Sequence, residues 1–157
     1  MSKAITGGCQ CGAVRFRVDG ELGRPTLCHC RMCQKAFGAF YGPLVTVNVA
    51  ELTWTRGTPA HFQSSAKISR GFCSACGTPL TYEWSADKIE LAIGAFDDPA
   101  PLKPQLQLAT EFALPWVHEL GEVQKVQVSQ SEALAAHHKD VVSFQHPDHD
   151  TEVWPPA

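Results

Sequence analysis

The sequence contains no apolar run approaching the roughly 20 residues needed to cross a bilayer, so no membrane-spanning helix is expected. Positive charge is scarce. Thirteen Lys and Arg against sixteen Asp and Glu leave a formal net charge of −3 and a pI of about 6.1. The basic footprint that a nucleic-acid backbone demands is therefore missing, and nucleic acid is not expected as a partner. The opening residues Met1 to Gly8 lack the apolar stretch of a secretory signal, which makes a cytoplasmic protein the expectation. Internal repeats are absent. The balance of 44% hydrophobic to 18% charged residues is that of a globular chain, and 157 residues suit one ordinary domain with an appended tail.

Cysteine, by contrast, is abundant. There are seven, an odd number that leaves one thiol over in any complete disulfide scheme. Thiols of a reducing compartment are more often metal ligands than disulfides. They fall into three groups: Cys9-Gln10-Cys11, Cys28-His29-Cys30-Arg31-Met32-Cys33, and Cys73-Ser74-Ala75-Cys76. Structural zinc takes four protein ligands in a tetrahedron, commonly from paired knuckles distant in sequence. The central trio is too compact to be shared between two ions, so Cys28, Cys30 and Cys33 are assigned to one metal. Cys9, Cys11, Cys73 and Cys76 form a closed set around another. Gly77, directly after Cys76, suits a tight metal knuckle because glycine turns the backbone with positive φ. Two Zn²⁺ ions are expected, one structural and one with an open position, although four thiolates also suit iron. The alternative for the trio is completion by His29, His61 or His118, with His29 expected to turn away because it lies between two ligands.

Period-two alternation marks a strand over Ala13 to Val18, with Val14, Phe16 and Val18 opposed to Arg15 and Arg17. A short helix is predicted over Arg31 to Phe37 with Gly38 closing it. Aromatic and β-branched residues from Phe40 to Val49 and over Leu52 to Thr55 predict further strands, followed by short ones at 61–63, 68–72, 79–83 and 89–93. The fold class is mainly β, built of several short antiparallel strands with little helix. The domain is expected over residues 5–121, and 122–157 form a C-terminal extension. There Ser129-Gln130-Ser131-Glu132 fits a capping box ahead of a short helix at Ala133 to Ala136. His137, His138, His146 and His149 are read as part of a mobile polar tail. Trp54, Trp84 and Trp116 are expected in or near the core. Asp97-Asp98 offers a general base or, before Pro99, a turn.

Three thiolates give zinc a net charge of −1, so hydrolysis is less natural than activation of a thiol entering the open position. An electrophile held nearby could then be attacked. The stretches Gly8-Cys9-Gln10-Cys11-Gly12-Ala13-Val14, Cys28-His29-Cys30-Arg31-Met32-Cys33-Gln34-Lys35 and Arg70-Gly71-Phe72-Cys73-Ser74-Ala75-Cys76-Gly77-Thr78-Pro79-Leu80 resemble the glutathione-dependent formaldehyde-activating enzyme family. Gly94-Ala95-Phe96-Asp97-Asp98-Pro99 and Trp116 extend the likeness, in order, across most of residues 5–121. The resemblance implies an Mss4-like zinc-binding β fold and a carbon–sulfur lyase that adds glutathione to formaldehyde, giving S-hydroxymethylglutathione. It assigns the catalytic zinc to Cys28, Cys30 and Cys33 and the structural zinc to Cys9, Cys11, Cys73 and Cys76. Gln107 stands where many relatives carry a histidine. Arg31, Lys35 and Arg70, beside the metal ligands, are the candidates to bind the two carboxylates of glutathione. The competing function is a non-catalytic, zinc-stabilised binding module.

Overall fold

In the computed structural model, which describes residues 4–155, ten strands form two sheets. Strands β1 (Ile5–Gly8), β2 (Arg15–Val18) and β5 (Leu52–Arg56) make a three-stranded antiparallel sheet in the order β1-β2-β5. The larger sheet holds β3 (Thr26–Cys28), β4 (Gly42–Asn48), β6 (Ala60–Gln63), β7 (Ser69–Phe72), β8 (Thr81–Glu83), β9 (Lys88–Ala92) and β10 (Leu106–Leu108). Its order is β10-β3-β4-β9-β8-β7-β6. The mainly β expectation holds, with one departure: β10 runs parallel to β3, pairing Gln107 with Leu27 and Leu108 with Cys28.

The core follows from the alternation of side chains along the strands. Val45 and Val47 of β4 and Leu91 of β9 are fully buried, as are Phe16 and Leu80. Phe16 meets Trp54 and Phe96 edge-on, with ring centroids 6.0 and 5.1 Å away. Gly7 of β1 has to be glycine, since a Cβ there would lie 2.4 Å from the Phe16 ring. Arg15 breaks the expected inward-outward pattern of β2. It is only 3% exposed, because Asp97 and Asp150 bind its guanidinium. Trp84 and Trp116 depart from expectation in the other direction, being 48% and 43% exposed. Of the three tryptophans placed in or near the core, Trp54 packs there.

Helix α1 (Arg31–Phe37) starts and stops where its sequence predicts. Cys30 is the N-cap, its sulfur accepting from the Cys33 N–H, and Gly38 ends the helix in the left-handed conformation at φ 58°. Contacts divide the chain into two compact units. One comprises the residues up to Ala113 together with those from Gln145 onward, and the other is Leu114–Phe144. The second contains α2 (Glu132–His138), whose N-cap is Ser131 rather than Ser129, its hydroxyl oxygen accepting from the Leu134 N–H. No residue of Leu114–Phe144 is buried. Among the described residues, no helix is long and apolar enough to cross a membrane.

Candidate metal centres

The four cysteines of the closed set arrive from two knuckles. Cys9 and Cys11 follow β1, and Cys73 and Cys76 follow β7. Their sulfurs all lie within 4.8 Å of one another, with Cys9 to Cys11 at 3.6 Å and Cys11 to Cys73 at 3.9 Å. A disulfide requires about 2.05 Å. A tetrahedral zinc with Zn–S bonds of about 2.3 Å places its sulfurs about 3.8 Å apart, so the spacing fits a metal and not a crosslink. All seven cysteines are free thiols.

Both knuckles turn the same way. Gly12 donates to the Cys9 carbonyl at 3.0 Å and Gly77 to the Cys73 carbonyl at 2.8 Å, each glycine having φ 77°. Sulfur charge is met by nearby donors: the Val14 N–H lies 3.3 Å from Cys9 Sγ and the Thr78 hydroxyl 3.1 Å from Cys76 Sγ. Burial pushes the Cys9 thiol up to about 12. Burial also acts to raise Cys76, but the Thr78 hydroxyl and N–H overcome it and bring that thiol down to about 6. Such an uneven sharing of protons is what a bound cation would remove, since metal binding to thiols releases protons.

The end of the chain passes over this cluster as a strap. The His146 N–H donates to the Gln10 carbonyl at 2.8 Å, and Trp154 Nε1 to the Cys11 carbonyl at 2.6 Å. Arg56 Nη1 donates to the Gly12 carbonyl and to His146 Nε2, both at 3.2 Å, while His146 Nδ1 donates to the Pro147 carbonyl at 2.8 Å. These partners fix one neutral tautomer of a side chain that is 4% exposed. His146 is thus a packed residue rather than part of a loose tail. Asp97 is likewise committed. It accepts from Arg15 at 2.7 and 2.6 Å and from the Thr6 hydroxyl at 2.5 Å. Burial would raise its carboxyl, but Arg15 and Thr6 hold it below its ordinary value. With Asp98 accepting from the Ala100 N–H at 3.3 Å, this segment is a turn and an ion-pair anchor, not a general base.

The trio is assembled locally. Cys28 ends β3, Cys30 caps α1 and Cys33 lies in its first turn, with all three sulfurs within 4.8 Å of one another. Cys33 is held near 5, first by a hydrogen bond from the Cys28 thiol and then, against burial, by the Arg70 guanidinium; Cys28, the other member of that pair, is pushed up. Arg70 Nη2 donates to Cys33 Sγ at 3.3 Å. Among the described residues, no fourth His, Cys, Asp or Glu joins this group. His29 Nε2 bonds Gln107 Oε1 at 2.8 Å and its ring stands edge-on to Tyr41. His61 pairs with Glu83 at 2.7 Å and His118 with Glu119 at 3.3 Å. Gln107 therefore braces the loop between Cys28 and Cys30, a role reinforced by Gln34, which donates to the carbonyls of His29 at 2.8 Å and Phe112 at 3.1 Å.

The three basic residues expected to bind substrate have separate fates. Arg70 is 3% exposed, stacks 4.8 Å above the Tyr82 ring and donates Nε to the Ser64 hydroxyl at 3.0 Å. Lys35 is exposed on α1, two residues beyond Cys33. Arg31 Nη1 bonds its own helix through Gln34 Oε1 at 3.1 Å. Lys35 and Arg70 line one cavity of about 310 Å³, together with Phe37, Phe62, Phe72 and Pro79; Arg31 does not. These apolar walls were not legible in the sequence, because Phe62 and Phe72 meet only through the pairing of β6 with β7, their rings 6.1 Å apart. Tyr82 and Glu90, opposite each other on β8 and β9, also face the trio. Burial raises both, and the Cys33 charge adds to it.

A family model described as glutathione-dependent formaldehyde-activating enzyme matches residues 4–111, which include all seven cysteines and exclude the strap. A Rhodobacter sphaeroides protein of known crystal structure is similar in fold, with a TM-score of 0.53 and 21% identity, over 65% of this chain and 98% of that one. No curated protein matches.

Proposed function

The chain belongs to the glutathione-dependent formaldehyde-activating enzyme family, and from that premise we propose that it is a carbon–sulfur lyase-type enzyme joining glutathione, or a related thiol, to a small aldehyde. The observation that carries this reading is the trio: three sulfurs within 4.8 Å, no fourth His, Cys, Asp or Glu beside them among the described residues, and a cavity sharing Arg70 with Cys33. Cys28, Cys30 and Cys33 would hold the catalytic zinc, and Cys9, Cys11, Cys73 and Cys76 the structural one. Zinc, when bound, supplies Lewis acidity, so that a thiol in its remaining position ionises near neutral pH.

The protein's own residues do the rest. Arg70 stabilises the charge on Cys33 and fixes its direction through the 3.3 Å hydrogen bond. Gln107 and Gln34 hold the ligand loop rigid, which keeps the three sulfurs convergent. Lys35 at the cavity edge offers an ammonium to a substrate carboxylate, and Arg31 on the same helix offers a second cation outside the cavity. In the reaction the thiol sulfur bonds to the carbonyl carbon, the carbonyl π pair moves to oxygen, and the thiol proton ends on that oxygen. A cytoplasmic setting, where glutathione is reduced, fits this chemistry.

The test compares adduct formation from glutathione and formaldehyde with and without metal-replete protein. Acceleration is expected with the native chain and is lost in Cys30→Ser, which removes a ligand but retains a serine at a helix N-cap, a residue favoured there. Equal rates with and without protein, for formaldehyde and for larger aldehydes alike, would remove the enzymatic reading and leave the zinc-stabilised binding module.

A further inference from the structure

The cavity next to the trio does not match formaldehyde. Formaldehyde has no side chain to bury, yet beside the polar Lys35, Arg70 and Thr81 the cavity carries an apolar wall of Phe37, Phe62, Phe72 and Pro79 that neither formaldehyde nor the polar tripeptide glutathione requires. Phe62 is 48% exposed on β6, the edge strand of the larger sheet. An aromatic left half in solvent beside a second ring 6.1 Å away is a surface ready to cover something apolar. None of the three cysteines lines this wall, but Phe37 and Arg70 link it to Cys33. A Cβ built on Gly42 would lie 3.0 Å from both Cys33 Cβ and the Phe37 ring, so glycine is what lets Phe37 close against the ligand loop. Arg70 continues the connection, lining the cavity while bonding Cys33 Sγ. The volume of about 310 Å³ is at the lower end of the range for small-molecule sites and far exceeds what a one-carbon aldehyde fills.

Resting on the thiol–aldehyde reading above, we infer that the electrophile carries an apolar hydrocarbon group, aromatic or medium-chain, which lies against Phe37, Phe62 and Phe72 while its carbonyl carbon meets the thiol at the trio. The product is the hemithioacetal of that aldehyde. One S–C bond forms, the carbonyl π bond opens, the thiol proton moves to the oxygen, and nothing is oxidised or reduced. Lys35 remains for a carboxylate of the thiol.

Two measurements on the full-length, metal-replete protein test this. The first is calorimetric binding of two unreactive thioethers, S-benzylglutathione and S-methylglutathione. The benzyl compound is expected to bind about tenfold or more tightly, and Phe62→Ala to shrink that ratio to within about twofold. The second is the rate of adduct formation from glutathione with benzaldehyde, hexanal and formaldehyde. The apolar aldehydes are expected to show the higher kcat/KM, and Phe62→Ala to lower the benzaldehyde-to-formaldehyde ratio about tenfold. Equal binding of the two thioethers overturns the inference. Acceleration of formaldehyde alone also overturns it while leaving the thiol–aldehyde reading in place, whereas acceleration of none of the three removes both.

Discussion

The two cysteine clusters share a ligand type but not a construction. The closed set joins residues 9–11 to 73–76, uses four sulfurs, and is crossed by the strap that begins at Gln145. The trio takes all three sulfurs from residues 28–33, borrows one cation from Arg70 and opens beside a cavity. Ligands distant in sequence close a long loop, so a metal between them stabilises the whole fold. Ligands within one turn hold an ion while constraining little of the chain, which leaves the site free to serve chemistry.

The comparison breaks first at the cysteines. Cys73→Ser, at a site with no exposure, should unfold the protein or lower its stability by about 3–5 kcal/mol. Cys30→Ser should cost about 1 kcal/mol or less while removing one metal equivalent. Thermal unfolding paired with metal analysis checks this, and equal losses would erase the distinction between staple and site. The two glycines test the strap next. Gly12 and Gly77 have the same φ of 77°, but a Cβ at Gly12 would lie 2.1 Å from His146, whereas nothing lies within 4 Å of one at Gly77. Gly77→Ala should cost about 1 kcal/mol for the backbone alone, and Gly12→Ala about 2–4 kcal/mol once the strap is displaced. Denaturant titration of both variants measures the difference.

Smaller effects sharpen the picture. Trp154→Ala removes one hydrogen bond to the Cys11 carbonyl, an interaction contributing about 1 kcal/mol. A chelator should then strip the closed cluster about fivefold faster, with the trio's rate unmoved. The pH dependence of stability is the subtlest. Folding holds the Asp97 carboxyl below its ordinary value, so its contribution is complete above the unfolded value of about 3.9 and is lost as pH falls through the folded one. Asp97→Asn should flatten the stability profile below about pH 4, and an unchanged acid slope would show that Arg15 does not depend on this partner.

How much of this could be read beforehand differs residue by residue. The grouping of the cysteines was legible because ligand spacing is local, and α1 was bounded correctly because Gly38 marks its end. Strand β3 was missed, since three residues such as Thr26-Leu27-Cys28 display no period, and its pairing with β10 was hidden because parallel pairing is a tertiary event. β1 was hidden by Gly7 and Gly8, residues that normally argue against a strand and here make room for Phe16 and Arg15. The burial of Arg15 depended on Asp97 and Asp150, partners 82 and 135 positions away. Of the residues named along the cavity, Lys35 and Arg70 stood out by their proximity to ligands, whereas the phenylalanines did so only once strand register brought them together.

The strap also sets an order of events during synthesis. All four sulfurs of the closed cluster have been translated by Cys76, but Gln145 follows only after roughly seventy further residues, several seconds of elongation at ordinary rates. The four sulfurs are therefore made, and open to an ion, before Trp154 exists to bond the Cys11 carbonyl. A ribosome stalled between these two points would hold a chain able to acquire its metal and still able to surrender it.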